Sequence, residues 1–252
     1  MKLNSDVNVL GSLPDLNLIL LFLSDSIKSL SEKGQLHAST TLKTDKSIKR
    51  FEKAISSTLL GFKSAEAEQL VGSILRAESI SADSLLMVFC NASFNNELLA
   101  YLNETVYFTA FYSGRITIKQ DEVLACLKEL KQTEVDIQKW SDSTIEVTAS
   151  KYLTLLKKFN LMEGSMNKTI THPYLNDKML VLFVYWLVAM ETKSNVLNST
   201  WLKYSFSETP IFIDRIMQRK FAAFFHLEYT GDRLTIMPII SYENIYNALT
   251  DS

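Results

Sequence analysis

Apolar residues recur at helical spacing through most of the chain. The clearest stretch is 140–164, where Ile145, Ala149, Tyr152, Leu156 and Phe159 follow at steps of four, three, four and three. That spacing puts all five on one face of a helix. Ser141 and Ser143 are both N-cap candidates, and Glu146 stands three residues after Ser143, the capping-box interval. Asn160 suits a left-handed C-cap. Leu161 and Met162 lead into Gly164-Ser165, and 168–171 reads as a returning strand. A helix followed at once by a hairpin is what a winged helix-turn-helix requires, and that fold often lays its helix in the DNA major groove.

The same periodicity predicts helices over 13–33, 47–62, 64–76, 81–91, 95–111, 120–130, 177–192 and 211–220, the last with Pro210 in its first turn. Residues 36–44 are polar and rich in Ser and Thr, and 115–119 alternate briefly. Two β-rich runs, 224–229 and 233–237, flank Thr230-Gly231-Asp232 and read as a second hairpin. The expected fold is therefore mainly α, a helical protein with winged helix-turn-helix-like units and small β-hairpin wings. Its expected organisation is a helix-turn-helix-like unit over 1–76, a middle helical unit with the winged segment over 77–171, and a helical unit ending in a hairpin over 172–252. Helix-then-hairpin occurs twice, but no repeat of constant period is visible.

Composition narrows this picture. The chain has 252 residues, 47% of them hydrophobic and 21% charged, enough apolar material for a packed core. Seven glycines and four prolines argue for helices over a β-sandwich. Met179–Met190 is the strongest apolar run, but its twelve residues fall short of the about 20 that span a bilayer, and charges bound it closely. We expect a buried core helix there and no membrane association. No signal peptide is expected at the N-terminus. Cys90 and Cys126 sit in apolar helical contexts, consistent with reduced thiols and a cytoplasmic location. With His37, His172 and His226 they show no ligand spacing, so neither metal nor cofactor is expected.

A net charge of −2 means that nucleic-acid binding would have to rest on local clusters. The densest lies on the 47–62 helix, where Lys46, Lys49, Arg50 and Lys53 face away from Ile48, Phe51, Ile55 and Leu59, with Lys43 just before them. Such a face can contact phosphates; a solvated outer face is the plainer alternative. On the 140–164 helix, Lys151, Thr154 and Lys158 are expected to be exposed opposite the apolar stripe, with Lys157 beside them and Lys168 on the wing. The last helix offers Arg215, Gln218, Arg219 and Lys220, and Arg233 sits at the mouth of the second hairpin. Arg and Gln there could read bases or phosphates, and a protein contact explains them equally well. The aromatic residues around 108–112 and 185–206 could stack on bases, though at helical spacing they fit a core better. No Gly-rich phosphate loop, HExxH or GxSxG is present, and no catalytic role is expected.

The 140–164 segment also resembles the BrxA family of bacteriophage-exclusion (BREX) defence systems. The resemblance lies in Trp140-Ser141-Asp142-Ser143-Thr144, then Ala149, Leu153 and Leu156, then the closing Leu161-Met162-Glu163-Gly164. Asn160 stands where the family more usually has Gly. The N-terminal half is similar in its order of a leading helix, a polar turn and a basic helix over 46–60. The resemblance implies a small, mostly helical cytoplasmic protein with winged-helix elements and no catalytic residues. It would act with a methyltransferase and ATPases in phage defence. The expected function is non-catalytic binding of double-stranded DNA within such a system, with other BREX-type defence proteins as partners. A protein-interaction scaffold of the defence complex and an RNA-binding helical module are the alternatives.

Overall fold

The computed structural model describes residues 3–23, 44–76, 80–165, 168–191 and 195–250. It is mainly helical, with two small antiparallel hairpins. Internal contacts divide the chain into two units, each built from separated stretches: Met1–Gly61 with Val88–His172, and Phe62–Met87 with Pro173–Ser252. This differs from three consecutive segments because the N-terminal residues pack on helices far along the chain.

In the first unit the leading segment forms two short helices, Asp6–Gly11 and Leu18–Leu23. Periodicity predicts one helix over 13–33. Asp15 interrupts it by accepting hydrogen bonds from the Asn17 backbone and side chain, and the rest of that span lies outside the described residues. Val7, Leu10, Leu13 and Ile19 are fully or almost fully buried. The basic helix runs over Asp45–Ala54 and starts ahead of the predicted position, because the Thr44 hydroxyl accepts from the Ser47 N–H and caps it. It continues as a π-turn over Ile55–Leu59, whose end is gripped by two asparagines. Asn91 Nδ2 donates to the carbonyls of Leu59 and Gly61 (2.8 and 3.0 Å), and Asn95 Nδ2 to those of Thr58 and Gly61 (3.1 and 2.6 Å).

The predicted 95–111 helix is present as Glu97–Leu102, a π-helical stretch over Asn103–Phe108, and Thr109–Tyr112. Residues 116–118 then extend beside the first hairpin: the Ile170 N–H donates to the Ile116 carbonyl at 2.9 Å, and Thr117 bridges Thr169. The helices Gln120–Thr133, Val135–Gln138 and Asp142–Lys158 follow. The stripe of Ile145, Ala149, Tyr152, Leu156 and Phe159 is buried as its spacing requires. Ser141, not Ser143, is the N-cap, accepting from the Thr144 N–H at 3.2 Å. Asn160 takes the left-handed conformation (φ 59°) that ends the helix. β1 (Met162–Glu163) then pairs antiparallel with β2 (Thr169–Ile170).

In the second unit, Asp177–Met190 is the central helix, capped by Asn176 and buried without a break from Leu180 to Leu187 and again at Met190. The helix Ala65–Leu75, capped by Ser64, packs on it, as does the short helix Ile245–Thr250. Among the described residues, no helix is long and apolar enough to cross a membrane. The helix Thr209–Ile216 has its proline in the first turn and gives way to a 3₁₀ stretch, Arg219–Ala223, where periodicity predicts one continuous helix. β3 (Phe225–Tyr229) pairs with β4 (Leu234–Pro238) across a turn in which Gly231 has φ 92°. Tyr185, Trp186, Tyr204 and Phe206 are core, and so is Phe108 in the first unit.

Candidate nucleic-acid interface

Two basic elements belong to the first unit, and both pack on the helix Asp6–Gly11. On the helix Asp45–Ala54, Lys46, Lys49, Arg50 and Lys53 are all exposed, while Ile48 and Ala54 are buried beneath them. The cations therefore occupy the outward face that their spacing indicates. Lys43 lies outside the described residues.

The helix Asp142–Lys158 departs from expectation. Its spacing predicts open exposure for Lys151, Thr154 and Lys158, yet all three are half-buried. The cause is the leading segment, which runs along this edge of the helix. Gly11 abuts the Lys151 backbone, Leu3 N–H donates to Asp136 Oδ2 at 2.9 Å, and Lys158 Nζ donates to the Leu13 carbonyl. Burial, reinforced by the charge of Lys151, pushes the Lys158 pKa down, and Asp15 opposes that shift. Thr154 donates its hydroxyl hydrogen to the Ser150 carbonyl, the usual intrahelical resting place of such a group. Lys158 is thus part of the fold as well as a surface charge.

The wing lysine has a different neighbour. Burial and then the positive charge of Lys157 lower the Lys168 pKa. Lys168 also lines a cavity of about 440 Å³ under the wing, with Thr117, Lys119, Gln120, Leu153 and Ser165. Lys119 and Gln120 begin the helix Gln120–Thr133, whose start is fixed by Glu122. That carboxylate accepts from the Lys119 N–H at 2.9 Å and pairs with Arg115 at 2.6 Å. Burial works against the Glu122 charge, but these two partners outweigh it and hold its pKa below the ordinary value. Helical spacing does not single out Lys119, and it leaves Lys157 at the margin of the basic face. The 115–119 alternation is the signal that this segment lies beside the wing.

The second unit uses its cations differently. Arg215 donates to the Leu175 carbonyl at 2.6 Å, lies 4.5 Å over the Tyr174 ring and approaches Asp177 at 3.8 Å. It ties the helix Thr209–Ile216 to the start of the central helix. Lys220 pairs with the same Asp177. Arg219 and Arg233 are exposed, and the same unit's surface carries Ile211 and Met217, each 51% exposed. Cys90 is fully buried and Cys126 half-buried, both as free thiols. Among the described residues, no three His, Cys, Asp or Glu side chains gather as a metal-ligand group.

Comparison with curated proteins and comparison with solved structures return no match. The family model of BrxA matches residues 35–183, more than half of the chain, taking in the basic helix, the Asp142–Lys158 helix and its hairpin. The chain therefore belongs to the BrxA family of BREX phage-defence proteins.

Proposed function

We propose that this protein is a non-catalytic double-stranded DNA-binding component of a BREX phage-defence system, acting in the cytoplasm beside other defence proteins. The observation that carries the reading is the order of elements in the first unit. A helix (97–112), an extended segment (116–118), the helices Gln120–Thr133, Val135–Gln138 and Asp142–Lys158, and a hairpin follow one another, with the extended segment bridged to the hairpin at Thr117 and Thr169. With the four-residue helix Val135–Gln138 set between the two longer ones, this order supports a winged-helix reading, in which the last helix enters the major groove and the wing meets the backbone. Lys157 and Lys168 supply positive charge where the wing would meet phosphates. Lys46, Lys49, Arg50 and Lys53 supply an exposed basic face on the same unit.

The test is a salt titration of duplex binding by the full chain. Replacing Lys46, Lys49, Arg50 and Lys53 together by Ala is expected to weaken binding and flatten the log–log salt slope by about 0.9 for each phosphate no longer neutralised. A folded quadruple variant with unchanged affinity and slope removes this helix from the interface. Failure of the parent protein to bind any duplex removes the function.

A second reading, docking onto another defence protein, is favoured on the second unit by exposed Ile211 and Met217 and by the internal engagement of Arg215. Exposed apolar side chains suit a protein contact better than phosphate.

A further inference from the structure

The outward side chains of the helix Asp142–Lys158 are exposed at Ser143, Glu146 and Val147 and half-buried from Ser150 onward. From Lys151 onward one edge lies against the leading segment, through Gly11 and Leu13. Ahead of that contact Ser143, Glu146 and Val147 are exposed, Val147 to 45%. Ser143, Val147 and Ser150 follow at steps of four and three, so they share the sector turned away from the buried stripe.

The chemistry divides in the same place. Cations that can hold phosphate stand at the C-terminal end of the helix and on the wing, as Lys157 and Lys168. The N-terminal half instead offers a carboxylate, a branched apolar side chain and hydroxyls. Asp142 is already engaged with Lys131 at 3.2 Å, and Glu146 is an exposed carboxylate at the flank of this face. For a purely electrostatic binder these groups are a poor choice, since a carboxylate repels phosphate and an exposed valine adds no charge. For reading base edges they are suitable. A carboxylate accepts a hydrogen bond from the cytosine N4 amine, and an aliphatic group packs on the thymine methyl. In helix-turn-helix docking it is the N-terminal residues of the recognition helix that reach the base edges.

We infer that Glu146 and Val147 are specificity-determining residues, Glu146 selecting a cytosine and Val147 a neighbouring thymine, while Lys157 and Lys168 hold the backbone. The inference rests on the duplex-binding reading above and adds sequence preference to it.

The experiment is selection of bound duplexes from a randomised library by the full chain, by Glu146→Ala, by Val147→Ala, and by Lys157→Ala as a backbone control. Both reading side chains are exposed, and a circular dichroism melt of each variant confirms that the fold is retained. The parent protein is expected to enrich a motif containing adjacent C and T. Glu146→Ala should relax the C position and Val147→Ala the T position by about ten-fold each, without loss of affinity for unrelated duplex. Loss of the Glu146 charge should raise that unrelated affinity, whereas Lys157→Ala should lower affinity for all sequences alike. Duplex binding with no enriched motif, or a motif unchanged in both variants, overturns the inference and leaves the duplex-binding reading standing. Absence of duplex binding by the parent overturns both.

Discussion

Gly11 and Lys151 meet backbone to backbone: a Cβ placed on Gly11 would stand 2.4 Å from the Lys151 carbonyl oxygen and 2.8 Å from its Cβ. No flexible side-chain end lies there to move aside. The two helices can therefore approach this closely only while position 11 has no side chain. This contact seats the leading segment against the edge of the Asp142–Lys158 helix.

Gly11→Ala should accordingly destabilise the protein. Overpacking at a closed contact costs about 1–3 kcal/mol, and the neighbour here is backbone, so the upper part of that range is expected. Denaturant unfolding of the full chain measures it. An unchanged midpoint would mean that the leading helix is not held tightly against Lys151.

Lys157 and Lys158 are adjacent in sequence and are expected to behave differently. Lys158 donates to the Leu13 carbonyl, so Lys158→Met should remove a hydrogen bond while keeping most of the stem packing, at a cost of about 1 kcal/mol in stability. Lys157→Met should leave stability within about 0.5 kcal/mol. In duplex binding the order reverses, with Lys157→Met flattening the salt slope more than Lys158→Met. Paired unfolding curves and salt titrations of the two variants check this, and equal effects in both assays would refute the division of roles.

The local part of this arrangement is legible in the sequence, and the long-range part is not. The stripe from Ile145 to Phe159, the left-handed Asn160 and both hairpins follow from spacing and turn chemistry confined to a few residues. The outward face of Lys46, Lys49, Arg50 and Lys53 follows in the same way. The half-burial of Lys151 and Lys158 does not, because it depends on a segment far earlier in the chain; Lys158 and its acceptor Leu13 stand 145 positions apart. A lysine with a long apolar stem fits a covered edge as well as an open one, so its spacing alone carries no information on cover. The engagement of Arg215 is hidden for a related reason: it donates to the Leu175 carbonyl, a partner with no side-chain signature. The cap at Ser141 in place of Ser143 is a choice between two equivalent local patterns, which tertiary packing decides.

Acid should weaken the start of the Gln120–Thr133 helix in a defined window. The Glu122 pKa lies below its ordinary 4.5 in the folded protein because the Lys119 N–H and Arg115 outweigh burial. A carboxylate with a lowered folded pKa contributes stability that is fully present above its unfolded value and is lost as pH falls through the folded one. Glu122→Gln keeps an acceptor for the Lys119 N–H and removes the ion pair. The pair is partly exposed, so a cost of about 0.2–1 kcal/mol is expected at about pH 7, shrinking to nothing well below pH 4.5. Urea unfolding of parent and variant at both pH values gives the answer, and a difference that persists in acid would show that the charge is not its source.

The Asp142–Lys158 helix is anchored from below by a buried polar chain, and breaking it should be felt through more than one bond. Tyr152 donates its phenolic hydrogen to Asn103 Oδ1 at 3.1 Å, Asn103 Nδ2 donates to Ser93 Oγ at 2.9 Å, and Ser93 donates on to the Phe89 carbonyl at 2.8 Å. All of these groups are buried, so removing a partner leaves a polar atom away from water. Tyr152→Phe removes one donor and should cost about 1–2 kcal/mol. Asn103→Ala removes an acceptor and a donor and opens space beneath Tyr152, so it should cost more, about 2–4 kcal/mol. Because the two side chains share a bond, the double variant should cost less than the sum of the single ones, with a coupling of at least about 0.5 kcal/mol. Asn103 lies in the π-helical stretch Asn103–Phe108. That stretch would then serve to turn an amide toward Tyr152 and fix the roll of the helix that carries Glu146 and Val147. A four-point unfolding cycle measures the coupling, and strict additivity would show that Tyr152 and Asn103 stabilise the fold independently.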